Sequence, residues 1–222
     1  MDESTTTLAT TYAQSTLKCG DRGFDTSETL NATQGATLVK LGFSFGVRYV
    51  GLSVGGGITA AELSALTGAG LKMMLVQFGR SHGLNAAQGT ADGTAAARNA
   101  LAVGYPPGAC LWLDLSPAPI TDCQDYANAW YFAAVAAGMY GSALGVYCEP
   151  GVPFSSSQLY HNLKFARYWK TAGQCPNVDV RGYQMVQLYP GNQVPSPGII
   201  IDQDFVQSDF TGSLPVAAVR AV

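Results

Sequence analysis

Hydrophobic and polar positions along the chain fall into two alternating patterns. Short apolar runs, rich in Val, Ile, Leu, Tyr and Trp, occupy Arg22–Asp25, Val47–Leu52, Leu71–Gln77, Ala109–Asp114, Leu144–Glu149, Phe165–Lys170, Tyr183–Leu188 and Gly198–Asp202. Runs of this length predict strands buried on both faces. Between them lie helical segments at Thr33–Leu41, Thr59–Gly68, Asn85–Val103, Thr121–Gly138 and Ser155–Leu163. Thr59-Ala60-Ala61-Glu62 reads as a capping box, in which two side chains satisfy helix N–H groups reciprocally. Asn85–Val103 stops at Gly104 and Pro106-Pro107, and Thr121–Gly138 carries Tyr126, Trp130 and Tyr131 at helical spacing. Eight strands with helices between them predict a single α/β domain, a (β/α)8 TIM-like barrel. The connections Thr171–Gly182 and Tyr189–Pro197 are too short for full helices, so the last crossovers are shortened. On this reading residues 19–206 form the barrel, 1–18 a polar N-terminal extension and 207–222 a C-terminal tail.

Reactive groups in such a barrel sit at the C-terminal ends of the strands. Asp25, Asp114, Glu149 and Asp202 each close a predicted strand, and Asp204 follows two residues after Asp202. A single acid at that place is most simply a helix N-cap. Five on one rim, out of 15 acidic residues in the chain, point to chemistry instead. Paired carboxylates suit glycoside hydrolysis, where one donates a proton to the leaving oxygen and an ionised partner serves as base, nucleophile or charge stabiliser. Arg48, Tyr49, Gln77, Tyr147, Trp169 and Gln187 lie at or near strand ends and are the candidate substrate contacts. The aromatic ones among them fit core packing equally well.

Composition narrows the partners. With 222 residues, 47% hydrophobic, 12% charged and a net charge of −3, the chain can bury one sizeable core and lacks the basic stripe of a nucleic-acid binder. No apolar run approaches the ~20 residues of a membrane helix. Met1–Ser15 has neither a basic nor an apolar region of the kind a classical secretory signal needs, so synthesis in the cytoplasm is expected. The five cysteines, at 19, 110, 123, 148 and 175, form no CxxC pair, and His82 and His161 are the only histidines. No metal and no cofactor is expected. His161 suits a helix C-terminus, His82 a rim loop, and Cys148 a structural role.

Two motifs compete with the carboxylates. Gly51-Leu52-Ser53-Val54-Gly55 matches the nucleophile elbow of serine hydrolases, with Asp114 and His161 available as partners. Gly55-Gly56-Gly57 separates Ser53 from the next helix, however, and no oxyanion segment precedes it. The same glycines lack the Gly-Lys-Ser/Thr of a phosphate loop and read as a flexible rim loop.

Several stretches, taken in order, carry a resemblance. Gly23-Phe24-Asp25-Thr26, Gly46–Gly51, Leu63–Leu75, Ala95–Asp114, Gly145-Val146-Tyr147, Ala166–Trp169, Tyr183–Gln187 and Ile201–Asp204 together resemble the glycoside-hydrolase-like domain related to the family 25 muramidases. The likeness spans about residues 20–206. It implies a TIM-like barrel of bacterial and phage proteins directed at the peptidoglycan sugar backbone. By position, Asp25 matches the first-strand Asp of the muramidases, Asp114 the fourth-strand Asp, and Asp202 or Asp204 the last-strand Asp. Muramidases carry Asp-x-Glu on strand four, the Glu being the acid, whereas this chain has Asp114-Leu115-Ser116. Either Glu149 or Asp114 then takes the acid's part, or the activity is lost; the expected assignment has Glu149 as the acid, Asp25 and Asp114 stabilising the transition state, and Asp202 and Asp204 completing the cleft. The expectation is a lysozyme- or endolysin-like hydrolase acting at a cell wall or within a phage particle. The alternative is a glycan-binding or structural phage-particle protein on the same barrel, and third a serine hydrolase using Ser53.

Overall fold

The computed structural model describes residues 11–52, 56–80, 82–115, 119–194 and 198–221. In chain order the elements are β1 (Tyr12–Thr16), β2 (Arg22–Thr26), α1 (Ala32–Lys40), β3 (Phe45–Val50), α2 (Ala60–Gly68), β4 (Lys72–Gln77), α3 (Ala86–Ala102) and β5 (Leu111–Leu115). There follow α4 (Ile120–Ala136), β6 (Leu144–Cys148), α5 (Ser156–His161), β7 (Arg167–Thr171), β8 (Met185–Val194), β9 (Ile199–Val206) and β10 (Val216–Arg220). Strands β2 to β9 close on themselves, since β9 pairs with β2 and β4 with β5. This is the eight-stranded TIM-like barrel expected from the apolar runs.

Its last strand departs from the simple pattern. Strands β2 to β8 are parallel, but β9 runs antiparallel to both β8 and β2. The segment Tyr189–Pro197, read from sequence as a shortened crossover, is mostly β8 itself, which continues to Val194. The few residues left before Ile199 cannot span the barrel's height, so the chain turns back as a hairpin. Strand β9 therefore enters at the mouth and descends, placing Asp202 level with Asp25 and Asp204 a level deeper, opposite Gly23.

The extension and the tail are not appendages. Strand β1 pairs with β10 from Tyr12↔Arg220 to Thr16↔Val216, and Ala218 of this ribbon pairs with Met73 of β4. The Cys110 N–H donates to the Val216 carbonyl at 2.7 Å. The ribbon thus inserts between the N-terminal ends of β4 and β5. Leu17 and Ala217, both buried, join the interior cluster of Phe45, Val47, Met74, Trp112 and Met185. Boundaries at 18 and 207 would cut through this core.

Glycine places the large interior rings. A Cβ on Gly23 would lie 2.2 Å from the Phe45 ring, and one on Gly145 2.3 Å from Trp112. Outside the barrel, Gly89 and Gly93 sit one turn apart on α3, where a Cβ would meet the Tyr126 carbonyl at 2.2 Å and the Trp130 carbonyl at 2.3 Å. Close approach of α3 to α4 depends on both. Because the obstacle is backbone, Gly93→Ala is expected to cost about 1–3 kcal/mol in urea denaturation. Removal of residues 207–222 is expected to abolish a single cooperative transition, whereas a dispensable tail would leave the melting curve in place.

Candidate active site

Alternation along the strands decides which side chains reach the barrel interior. Asp25 is in register with Val47 and with Asp202, Asp114 with Tyr147, Tyr147 with Trp169, and Gln187 with Asp204. All of these face inward. Asp25, Asp114 and Asp204 are buried, while Asp202 and Glu149 are partly exposed.

Arg48 and Gln77 face the other way, a correction to their reading as substrate contacts. Each adjoins an inward residue, Val47 and Val76, and so belongs to the helix layer. Arg48 is 1% exposed; its Nε donates to Glu62 at 2.7 Å and its Nη1 to the Thr26 carbonyl at 2.6 Å. Glu62 also accepts from the Leu30 N–H, so this buried pair pins the loop that follows Asp25. Thr59 caps α2 by accepting from the Glu62 N–H, but the Glu62 carboxylate is spent on Arg48 and Leu30 instead of completing the box. Gln77 is fully buried, accepting from the Trp130 indole and donating to the Tyr126 hydroxyl at 3.0 Å.

Trp169 is inward but lies beneath the mouth. At 2% exposed it packs against Trp112 and Tyr147 and donates from Nε1 to Asp204 at 3.0 Å, leaving no face for a sugar. Asp204 is likewise wholly buried, so it cannot touch substrate as proposed from sequence. Its other oxygen receives no donor from a neighbouring residue, and the protonated carboxyl donates a hydrogen bond to Asp25.

The groups at the mouth form two halves. In the first, Gln187 of β8 donates from Nε2 to Asp25 of β2 at 2.7 Å and to Asp202 of β9 at 3.5 Å, while the Tyr147 hydroxyl of β6 donates to Gln187 Oε1 at 2.6 Å. Tyr147 fixes which way the amide points, and the amide serves both carboxylates. Burial nevertheless pushes the Asp25 carboxyl up to about 7, and Asp202 adds to the rise. Burial raises Asp202 as well. Asp204 is held protonated well above the usual carboxylate range by burial and by the neighbouring Asp25. On β5 and β6, burial and the Glu149 charge push Asp114 up to about 7. One Asp114 oxygen accepts from the Gly79 N–H at 3.2 Å and the other is unpartnered. Glu149 is raised by burial.

Beside the first half opens a cleft of about 240 Å³ lined by Asp25, Glu28, Asp202, Tyr49, Phe78 and Ile200 among others. Two of these escaped the sequence reading. Glu28 tethers the β9 end of the cleft by accepting from the Ile200 N–H at 3.2 Å. Phe78 is 64% exposed and stacks against Tyr49 with ring centroids 5.7 Å apart. Its signal was available: Met74, Val76 and Phe78 continue one alternation past the end of β4. Ser53 and Ser116 lie outside the described residues. His161 is exposed at the end of α5, and Cys148 is buried next to Cys175. Among the described residues no group of three or more ligating side chains could hold a metal ion, and no helix is long and apolar enough to cross a membrane.

An eight-stranded barrel with carboxylates converging on its mouth defines a glycoside-hydrolase-like protein. The Rv2525c-like, glycoside hydrolase-like domain matches residues 36–206, and the chain belongs to that family. No curated protein matches it. Among solved structures it is similar to the Tat-secreted protein Rv2525c of Mycobacterium tuberculosis in complex with L-tartrate, with TM-score 0.61 and 16% identity over 87% of this chain and 100% of the other. It is also similar to GHIP, a glycosyl hydrolase 25 of Streptococcus pneumoniae, with TM-score 0.63 and 13% identity over 84% and 87% of the two chains. A muramidase from Acremonium alcalophilum gives TM-score 0.58 and 15% identity over 86% and 95%. At these identities the structures show the shared fold.

The protonation of Asp204 has a measurable consequence. The folded chain keeps this proton, while the unfolded chain releases it above about pH 4. Stability is therefore lost as pH rises through that value toward the raised folded pKa, by up to about 1.4 kcal/mol per pH unit. Asp204→Asn keeps an acceptor for Trp169 and has no proton to lose. Its melting temperature relative to the parent is expected to climb between pH 4 and 7; a constant difference would show that Asp204 is ionised in the fold.

Proposed function

We propose that this barrel hydrolyses a glycosidic bond in a cell-wall glycan, peptidoglycan foremost, with Asp114 as the proton donor. The observation that carries this reading is Asp114 itself, a buried carboxyl at the mouth, protonated up to about pH 7, with one oxygen unpartnered. Two carboxylates whose surroundings separate their proton affinities make an acid and a charged partner. Here burial keeps the proton on Asp114, and the charge of the more exposed Glu149 adds to the effect. The glycosidic oxygen takes that proton as its bond to the sugar carbon breaks. Positive charge developing on the ring is stabilised by Asp202, the more exposed carboxylate of the cleft, while Gln187 orients Asp25 beside it. Water then adds to the ring carbon and its proton returns to a carboxylate. Tyr49 and the exposed face of Phe78 supply the apolar surface on which a sugar ring rests.

Membership of the glycoside-hydrolase-like family and the fold shared with muramidases support this reading. The protein then works at a cell wall, or is carried to one in a phage particle. Ser116, where the muramidases have the Glu of Asp-x-Glu, favours one other reading: a barrel that binds glycan without cutting it.

Purified protein incubated with isolated peptidoglycan, followed by mass spectrometry of soluble products, is the direct test. The expected result is muropeptides with new reducing ends and an activity that declines above about pH 7 as Asp114 ionises. Asp114→Asn is expected to lower the rate by about 10²–10⁴-fold. Glu149→Gln leaves the burial that chiefly raises Asp114 and removes the charge that adds to it, so the alkaline limb moves part of the way to lower pH while activity persists. Loss of all activity in Glu149→Gln, with an active Asp114→Asn, would make Glu149 the acid. Sedimentation with the wall and no products from the parent would identify a glycan-binding barrel.

A further inference from the structure

The cleft does not end at the carboxylates. Three cavities adjoin across the mouth, and Phe78 lines all of them. The first holds Asp25, Glu28 and Asp202. The second, about 580 Å³, is walled by Tyr49, Val50, Leu52 and Phe78. The third, about 310 Å³, is lined by Leu52, Phe78, Gly79, Arg80 and His82. From end to end the groove is acidic, then apolar, and then lined by His82 and by the partly exposed guanidinium of the Arg80–Asp92 ion pair.

We infer that the third cavity is an anion subsite, and that the glycan accepted by this groove carries a carboxylate lodged beyond Phe78 against Arg80. The inference rests on the glycan-cleft reading above and specifies its ligand. Arg80 is built into place. Its Nε and Nη2 both donate to Asp92, the latter at 2.9 Å, and Asp92 is held in turn by Gln88 at 2.7 Å and by the Tyr126 hydroxyl at 2.8 Å. The Arg80 side chain is still one third exposed, while Asp92 is buried behind it. A guanidinium already ordered by its own scaffold loses little further freedom on meeting an anion. Arg48, the guanidinium on the neighbouring strand, has no such part, because it is buried against Glu62. At the opposite end, Asp25, Glu28 and Asp202 repel a carboxylate. The exposed guanidinium edge thus sets the class of ligand, and the acidic end opposite sets the direction in which it lies.

The carboxylate belongs either to a uronic acid or to the lactyl group of a muramic acid freed of its stem peptide, and binding separates the two. Full-length protein carrying Asp114→Asn, which prevents turnover, is titrated calorimetrically with three tetrasaccharides. These are neutral chitotetraose, a peptide-free oligomer alternating N-acetylglucosamine with N-acetylmuramic acid, and tetragalacturonate. At least one acidic ligand is expected to bind about tenfold more tightly than chitotetraose. Adding Arg80→Gln should bring the two within about twofold, and Arg80→Lys should keep part of the preference. Raising salt from about 50 to 500 mM should weaken the acidic ligand alone, and this series needs no substitution at Arg80 should the Gln variant fail to fold. Tight binding of only the muramic oligomer assigns the lactyl carboxylate, and tight binding of only tetragalacturonate a uronic acid. Equal affinity for neutral and acidic ligands, or a preference untouched by Arg80→Gln and salt, overturns the anion subsite and leaves the hydrolase reading standing. Failure of all three to bind overturns both.

Discussion

Every second residue of eight strands must share one narrow interior from which water is largely excluded, and the site follows from how this chain fills it. Asp25, Asp202 and Asp204 come together there on two adjacent strands. Besides the proton that Asp204 shares with Asp25, the side-chain donors that reach them are one indole and one amide. Trp169 serves Asp204, and Gln187 is divided between Asp25 and Asp202. Protons make up the shortfall, so Asp204 stays neutral and Asp25 titrates near 7. Across the mouth Asp114 has a single backbone N–H and an acidic neighbour, with the same outcome. Scarcity of donors in a closed barrel is what gives acid–base groups suited to neutral pH.

The reversed last strand sorts acids that look equivalent in sequence. Had β9 risen with its neighbours, Asp204 would sit nearer the mouth than Asp202. Because it descends, Asp202 borders the cleft and Asp204 lies under it, supported by Trp169. The aromatic interior has the same supporting function. Trp112 and Trp169 fill the space below the carboxylates, and Leu17 and Ala217 of the terminal ribbon belong to the same cluster. The floor of the site thus depends on residues at both ends of the chain.

The helix layer supports the mouth through polar side chains. Glu62 on α2 grips Arg48 and the Leu30 N–H, which holds the loop after Asp25. On the next sector, glycines let α3 and α4 approach closely. A chain of hydrogen bonds runs from Trp130 and Gln77 through Tyr126 to Asp92, and so to Arg80 at the rim. Removing one partner from either network would strand a buried polar group, which makes these residues costly to change although none belongs to the carboxylate cluster.

The sequence by itself determined the barrel, because buried strands and their helices are written in local periodicity. It also brought Asp25, Asp114 and Glu149 to one rim, since each stands at the mouth end of an apolar run; Asp202 reaches that rim because β9 descends from it. Strand parity was legible too: Arg48 and Tyr49 are adjacent, so only one of them can face inward, and the same holds for Gln77 and Phe78. What only the tertiary structure decided is set by contacts between distant segments. The descent of β9, and with it the depth of Asp204, depends on closure against β2 some 180 positions earlier, as the pairing of Arg22 with Phe205 shows. The ribbon joins residue 12 to residue 220, so neither terminal stretch shows an apolar pattern that predicts its partner. Above all, the proton affinities of the carboxylates depend on how many donors converge from other strands, and no pattern along a single strand encodes that number.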